Sequence, residues 1–555
     1  MRNLNLSSLV PVLLVGLVGC SGSPATSAEP PAPQPDEPAG PEPEPATTPT
    51  FLLQLSLEKL PIAQGDESLL EVELQRQGGF EGPVEITVSG LPKGASAEPL
   101  TIAADEAKAM LTIRTAATAP HSLPTTVTVS GKAGKLADSR QLSVTVYGTP
   151  GALDTSFQGG KVMVPVGAAD AYAYAMAAQP DGKIIVVGTM YEHQGDFAVL
   201  RLTRDGELDT SFGEAGLVAT QVGEGSDVAR AVAVDEAGRI VVAGTASSPA
   251  SGLDFAVVRY LPSGELDDSF GDAGKRIVSL GDDSDTAYAL ALQSDGKIVV
   301  GGDSNRGSSS SGVDFALLRL LEDGSTDSSF GDAGIVTQSV KTFGSRDSIY
   351  GLALQTIDGE ERIVAAGGEG DFSLARFHDD GTLDRSFGEQ GTLSGLFEST
   401  IGAAFAVTVT PDNELVVAGH AQHDFALAKL AVDGTFFDGF GDGGKVVTAI
   451  SEDNWDEAHA LGLDQEGRIL LAGWTYEGNS SSGNTTLVRY DAEGALDTSF
   501  GAEGIVVTEV AAPTRADQGS ALLIAPDERV PSERILVGGY ASRGYSQFAV
   551  TRFWR

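Results

Sequence analysis

The sequence predicts an all-β chain: a seven-bladed β-propeller preceded by an immunoglobulin-like β-sandwich. Three observations lead there. Near-copies of one nine-residue stretch recur as "LDTSFGEAG" from Leu208, "LDDSFGDAG" from Leu266, "TDSSFGDAG" from Thr326, "LDRSFGEQG" from Leu383 and "LDTSFGAEG" from Leu496. The motif phenylalanine falls at Phe157, Phe212, Phe270, Phe330, Phe387, Phe440 and Phe500, with separations of 55, 58, 60, 57, 53 and 60 residues, and a nearly fixed period means a repeat architecture. With 69 glycines in 555 residues and only 6% aromatics, the composition favours many strands and tight turns over helical bundles.

In chain order, residues 1–20 come first. Arg2, an apolar run from Leu9 to Val18 and "LVGC" ending at Cys20 form a targeting signal, and the run is too short to span a bilayer as a helix. The segment resembles a bacterial lipoprotein signal. That resemblance implies lipidation of Cys20, a membrane partner through that anchor, and residence in the cell envelope, with Ser21 compatible with the outer membrane. A cleaved secretory signal with an incidental cysteine is the bland alternative. Cys20 is the only cysteine, so no disulfide forms within the chain. Residues 21–50 are rich in proline and acid and hold no lysine or arginine, a composition that cannot bury a core. Extended as polyproline II at about 3.1 Å per residue, they form a tether with a reach on the order of 90 Å.

Residues 51–148 alternate with a period of two in "FLLQLSLE", "LLEVELQR", "PVEITVS", "AKAMLTIRT", "TTVTVSG" and "QLSVTVY". Six or seven short strands in such a length predict an immunoglobulin-like sandwich. The segment "GFEGPVEITVSGLPKGASA" resembles the Ig-like modules of bacterial surface proteins, although the immunoglobulin cysteines and core tryptophan are absent. It reads as a spacer, with carbohydrate or protein binding as the alternative.

Residues 151–555 carry the repeats. Each contains the same parts: "GLVATQV", "ARAVAVD", the turn "EAGR", "IVVAGT", a polar loop and "FAVVRYL" leading into the next motif. Four antiparallel strands repeated about an axis make a propeller blade. Stretches such as "KIIVVG" are apolar on both faces, as sheets covered on both sides require, and "AYALALQ" favours alanine where a wedge narrows towards the axis. In this reading "GLVATQV" is innermost and "FAVVRYL" outermost, so the motif lies in the crossover between blades. A basic residue ends every "FAVVRYL" strand: Arg201, Arg259, Arg319, Arg376, Lys429, Arg489 and Arg552. Eight residues on stands Asp209, Asp267, Asp327, Asp384 and Asp497, and the pairing lapses at Lys429, where Phe437 replaces the aspartate. A bidentate Arg–carboxylate bridge is expected at each. Arg552 has no downstream aspartate and Asp154 no upstream arginine, so these two are expected to pair and close the ring.

"LDTSFG", "AMAAQPDGKIIVVG" and "DFAVLRL" together resemble the delta-60 repeat family of bacterial propeller proteins across residues 151–555. The resemblance implies a surface or secreted propeller and no agreed catalytic activity.

Catalytic motifs are missing: no nucleophile elbow, phosphate-binding glycine loop or paired cysteines. The densest histidine cluster is "GHAQHDF", where His420, His423 and Asp424 form a candidate metal site. A second recurrent acid precedes the alanine-rich strands at Asp227, Asp285, Asp347, Asp456 and Asp517, with Asp170 one residue out of step. These aspartates either cap turns or gather near the axis to bind calcium or a cationic ligand. Their loops share a face with variable segments such as "SNRGSSSSG", opposite the motifs and the "DGK" turns. With 77 acidic against 36 basic residues and a net charge of -41, nucleic acid and anionic lipid are poor partners. The expectation is a monomeric, lipid-anchored, non-catalytic propeller that binds a protein or glycan. The alternatives are an extracellular hydrolase or lyase with an axial metal, and a structural envelope or adhesion component.

Overall fold

The computed structural model describes residues 48–555 apart from 123, 193, 249–251, 282, 306–311, 341–346, 371, 399–400, 452–454, 477–482, 512–515 and 527–532. Cys20 and the tether lie outside the described residues. The first unit packs two sheets face to face. One joins Thr50–Leu55, Glu67–Gln77, Lys108–Thr115 and Ala95–Ala97; the other joins Lys59–Ala63, Leu136–Tyr147, Thr125–Ala133, Val84–Ser89 and Leu100–Ile102. Alternate residues, among them Leu53, Val72, Ile86, Leu111, Val129 and Val144, fill the space between the sheets, so period two becomes a core. The two three-residue strands and Lys59–Ala63 go beyond the six segments visible in the sequence, because strands that short show no periodicity of their own.

Seven four-stranded antiparallel sheets follow among the described residues. The first consists of Ala171–Ala178, Ile184–Met190, Asp196–Leu202 and Leu217–Thr220, in that spatial order. This order corrects the phase read from the sequence. The "LVAT" strand pairs back onto "DFAVLRL" as the outermost strand of the same sheet, with Phe197 opposite Thr220. The innermost strand is therefore the alanine-rich one, and the recurrent motif sits in the hairpin between third and outermost strands. The crossover is the short loop ending at the recurrent aspartate. A strand of four residues can pair backwards or forwards with equal local propensity, so the hydrogen-bonded partner decides the phase.

The innermost strands are Ala171–Ala178, Val228–Val234, Asp285–Leu292, Ile349–Ile357, Gly402–Val409, Asp456–Leu463 and Asp517–Ala525. Each touches the innermost strand of the next sheet, and the seventh touches the first. Apolar clusters straddle neighbouring sheets: Val187 and Val199 of the first meet Ala229, Val242 and Val258 of the second. The ring is closed by hydrogen bonding as well. Lys161–Val164, from before the first sheet, pairs antiparallel with Tyr545–Trp554 as the outermost strand of the seventh.

The phenylalanine and glycine of the motif join one sheet to the next. Phe212 is fully buried, and Gly264 of the following repeat, at φ +94°, lies so close that a Cβ there would stand 2.9 Å from the Phe212 ring. The motif Gly213 amide donates to the Ser263 carbonyl at 3.0 Å, and the same bond recurs down to Gly501, whose amide reaches Pro150 ahead of the first sheet at 3.0 Å. At the junction with the sandwich, Trp554 packs edge-on against His121 at 5.0 Å and donates Nε1–H to its Nδ1 at 3.0 Å.

Candidate functional site

The motif builds a clamp. Arg201 Nε donates to Asp209 Oδ2 at 2.8 Å, Nη2 to Ser211 Oγ at 3.2 Å, and Nη1 to the Pro262 carbonyl of the next repeat at 2.5 Å. Asp209 Oδ1 accepts the Ser211 amide and hydroxyl at 3.1 and 2.7 Å, and the guanidinium carbon lies 4.5 Å from the Phe212 ring centroid. The same Nε–Oδ2 contact joins Arg259 to Asp267, Arg319 to Asp327, Arg376 to Asp384 and Arg489 to Asp497 at 2.8, 2.9, 2.8 and 2.9 Å. Arg552 reaches Asp154 at 2.9 Å across 398 residues. The bidentate fork expected from the sequence does not form, because the aspartate spends its second oxygen on serine while the arginine turns Nη2 to serine and, except in Arg489, Nη1 to the neighbouring repeat. Burial, the largest single influence, works to raise the carboxyls of Asp209, Asp267, Asp327, Asp384 and Asp497, yet the serine hydrogen bonds and nearby cations outweigh it and hold all five below the usual range.

In four repeats a third, basic member that was missed in the sequence joins the clamp. Arg534 places a second guanidinium 2.9 Å from Asp154, and Arg362 and Arg468 lie 3.6 and 3.7 Å from Asp384 and Asp497. Lys183 lies 3.2 Å from Asp209. Arg239 and Lys297 at the same position pair instead with Asp235 and Asp295. In the fifth repeat that position is Glu414, which holds Lys429 Nζ at 2.8 Å, while the ammonium sits 4.4 Å from the Phe437 ring. Lys429 therefore keeps a carboxylate, supplied by a neighbouring strand where sequence spacing gave no hint of it.

The recurrent crossover acids are turned inward to backbone. Asp227 Oδ2 accepts the Val222 and Gly223 amides at 2.7 and 2.9 Å, and Asp285 accepts Leu280 and Gly281 at 2.7 and 3.2 Å. Asp347 accepts Val340 at 3.1 Å, Asp456 accepts Ile450 and Ser451 at 2.9 and 3.1 Å, and Asp517 accepts Val510 and Ala511 at 2.7 and 2.9 Å. Asp170 differs, receiving the Ser546 amide of the seventh sheet at 2.7 Å. Among the described residues no three His, Cys, Asp or Glu side chains gather as a metal group, at these aspartates or at His420, His423 and Asp424. His423 occupies a tight turn against the edge of Trp455 at 4.1 Å, and His420 stacks on Phe405 at 5.4 Å, where burial pushes its pKa down.

The axis carries a different constellation. Every innermost strand has a β-bulge three residues after the position of the recurrent aspartate, which places Tyr174, Arg230, Tyr288, Tyr350, Phe405, His459 and Ser520 at the register shift. Glycine on the second strand makes room for it. A Cβ on Gly188, Gly244, Gly302, Gly367, Gly419, Gly473 or Gly539 would overlap a carbonyl oxygen of the bulged strand, which explains a glycine at this position in every second strand. The bulged side chains, all half-buried, meet in succession round the ring. Arg230 lies 4.3 and 5.7 Å from the Tyr174 and Tyr288 centroids, Tyr288–Tyr350 and Tyr350–Phe405 stand 5.0 and 5.2 Å apart, and Phe405 stacks on His459 at 4.4 Å. Ser520 leaves the gap. Beside it, towards the variable loops, Trp474 meets Tyr476 and Tyr172 meets Tyr540, each pair 4.7 Å apart. Glu457 receives His459 Nε2 at 2.7 Å and Trp455 Nε1 at 2.5 Å. The sequence signal was one large residue between small ones, as in "AYA", "ARA", "AFA" and "AHA", set against a facing glycine.

The arrangement offers aromatic planes, hydroxyl donors, one guanidinium and one carboxylate. Burial pushes the Tyr174 hydroxyl up and that of Tyr288 up to about 12, so both stay protonated. Burial also works to raise Glu457, but His459, His420 and Trp455 together bring it below its ordinary value. The tyrosines are thus donors, and the acid is a hydrogen-bond acceptor.

A profile described as a β-propeller domain of unknown function (DUF5122) matches residues 179–212, 238–270, 293–330, 362–387 and 466–500. Each match ends on a motif phenylalanine, and the repeat with Glu414 and Phe437 is not among them. No curated protein matches the chain. Among solved structures, domains 5–6 of the S-layer protein SbsC are 14% identical, covering 42% of this chain and 97% of that one, with a TM-score of 0.15. A polysaccharide lyase of family PL25, an ulvan lyase, is 12% identical, covering 70% and 95%, with a TM-score of 0.36. A DUF4784 family protein from Bacteroides caccae is 10% identical, covering 88% and 92%, with a TM-score of 0.19. Scores this low assign neither a topology nor an activity. From the profile match and the closed succession of four-stranded sheets, the chain carries a β-propeller domain built of repeats.

Proposed function

We propose that the chain is a seven-bladed propeller of delta-60 type, carried on an Ig-like spacer and anchored through Cys20 in the bacterial outer membrane, that binds a saccharide at its axis without turnover. The observation that carries this reading is the bulged ring: in a chain with only 6% aromatics, Tyr174, Tyr288, Tyr350 and Phe405 converge on the axis, and Trp455, Trp474 and Tyr476 stand at its rim. Flat aromatic faces beside a few fixed polar groups suit the apolar faces and hydroxyl edges of sugar rings. The tyrosines held protonated favour binding over proton abstraction.

Glycan-array screening followed by calorimetry tests it. Trp455 is 37% exposed, so Trp455→Ala should spare folding and weaken saccharide binding about tenfold or more. Retained affinity in that variant overturns the axial assignment. Shortening of a bound polysaccharide on incubation would establish the hydrolase or lyase alternative, and a midpoint of unfolding unmoved by millimolar calcium would remove the cation reading of Asp227, Asp285, Asp347, Asp456 and Asp517.

A further inference from the structure

The innermost strands carry one arginine, Arg230, and no lysine, in a protein with a net charge of -41. Every clamp arginine has a carboxylate; Arg230 has none within ion-pair distance among the described residues. Its Nε is buried without a hydrogen-bond partner. Tyr174 and Tyr288 flank the guanidinium at 4.3 and 5.7 Å, which stiffens it and leaves its donors unspent. A half-buried cation held between rings, with no acceptor, is costly unless a ligand completes it.

We infer that Arg230 is the anion-reading residue of the axial site, and that the ligand is a small saccharide bearing one acidic group, of the hexuronate class. This rests on the saccharide-binding reading above. The protonated Tyr174 and Tyr288 hydroxyls add neutral donors beside the guanidinium, and the partners of an anion are donors only. Further round the ring, Glu457 repels an anion and accepts from hydroxyls, so it fixes which end of the sugar faces Arg230. One guanidinium matches one negative group. A long polyanion would instead meet the repulsion of the whole surface, which acts over about 8 Å at physiological ionic strength.

The test is calorimetry of the full chain with cellobiouronic acid, a disaccharide with a single carboxylate, its neutral methyl ester and a monosulfated carrageenan disaccharide. The acid form should bind on the order of tenfold more tightly than the ester, and Arg230→Gln should abolish that preference without lowering the unfolding midpoint. Arg230→Lys should retain part of it, because the charge remains and the planar donors do not. Preference for the sulfated disaccharide over cellobiouronic acid, lost in Arg230→Gln, would keep the anion assignment and replace carboxylate by sulfate. Equal binding of acid and ester, or an Arg230→Gln variant that still prefers the acid, overturns the inference and leaves saccharide binding intact. If none of the three binds, and Trp455→Ala changes nothing on the array, both readings fall.

Discussion

At the scale of residues, the clamp explains why "LDTSFG" is repeated. Its aspartate receives arginine on one oxygen and serine on the other, its phenylalanine lies beneath the guanidinium, and its glycine donates to the next repeat. Arg259 is 3% exposed and Asp267 is its carboxylate, so Asp267→Ala strands a buried cation, whereas Ser269→Ala removes hydrogen bonds and leaves the ion pair. The first change should cost about 3–5 kcal/mol and the second about 1 kcal/mol by denaturant unfolding. Equal costs would mean that the pair contributes nothing beyond an ordinary hydrogen bond. This much was legible in the sequence because both ends of the clamp are eight residues apart on one hairpin. The division of donors was not, since it depends on where the neighbouring carbonyl stands.

At the scale of elements, the bulge on each innermost strand and the glycine facing it are one device. Gly302→Ala would drive a Cβ into the Thr286 carbonyl, so the bulge must shift, at a cost of about 1–3 kcal/mol, and Tyr288 should move away from Arg230. Lower stability together with weakened saccharide binding, both measured on the same variant, is the expected pair of effects; an unchanged binding isotherm would separate the bulge from the site. The fifth repeat offers a second test. Glu414→Lys sets two ammonium groups together, which should destabilise by about 2 kcal/mol, and adding Phe437→Asp should recover much of that loss as a coupling term. Additive effects in the double variant would sink the charge-exchange account. Sequence spacing paired Arg with Asp, but it could not find Glu414, which comes from another strand.

At the scale of the whole molecule, the chain ends are joined at Asp154, whose carboxylate holds both Arg552 and Arg534. Asp154→Ala strands two buried guanidinium groups, so its unfolding midpoint should fall further than that of Asp267→Ala. A smaller fall would mean that strand pairing by Lys161–Val164 alone keeps the ring shut. The pH dependence follows from two sets of groups. Burial, as the largest influence, lowers the pKa of His121 and His420, so each stays neutral in the fold while the unfolded chain takes up a proton. Their contribution is present above the ordinary histidine value of about 6.5 and declines as pH falls below it. The five clamp aspartates are held low, so theirs persists down to about pH 4 and is lost on further acidification. Thermal midpoints across this range should fall in two stages, and His121→Phe with His420→Phe should flatten the upper one.

The sequence by itself determined the repeat, its period, the alternation of the first unit and the Arg–Asp spacing, because each is written in residues close together along the chain or recurring at fixed intervals. Tertiary structure alone decided the phase of the strands, the inward use of the crossover aspartates and the meeting of Tyr174, Arg230, Tyr288, Tyr350, Phe405 and His459. The reason is physical: a short strand has two competent neighbours, and side chains some fifty to sixty residues apart become partners only when closure of the ring fixes which face each one shows.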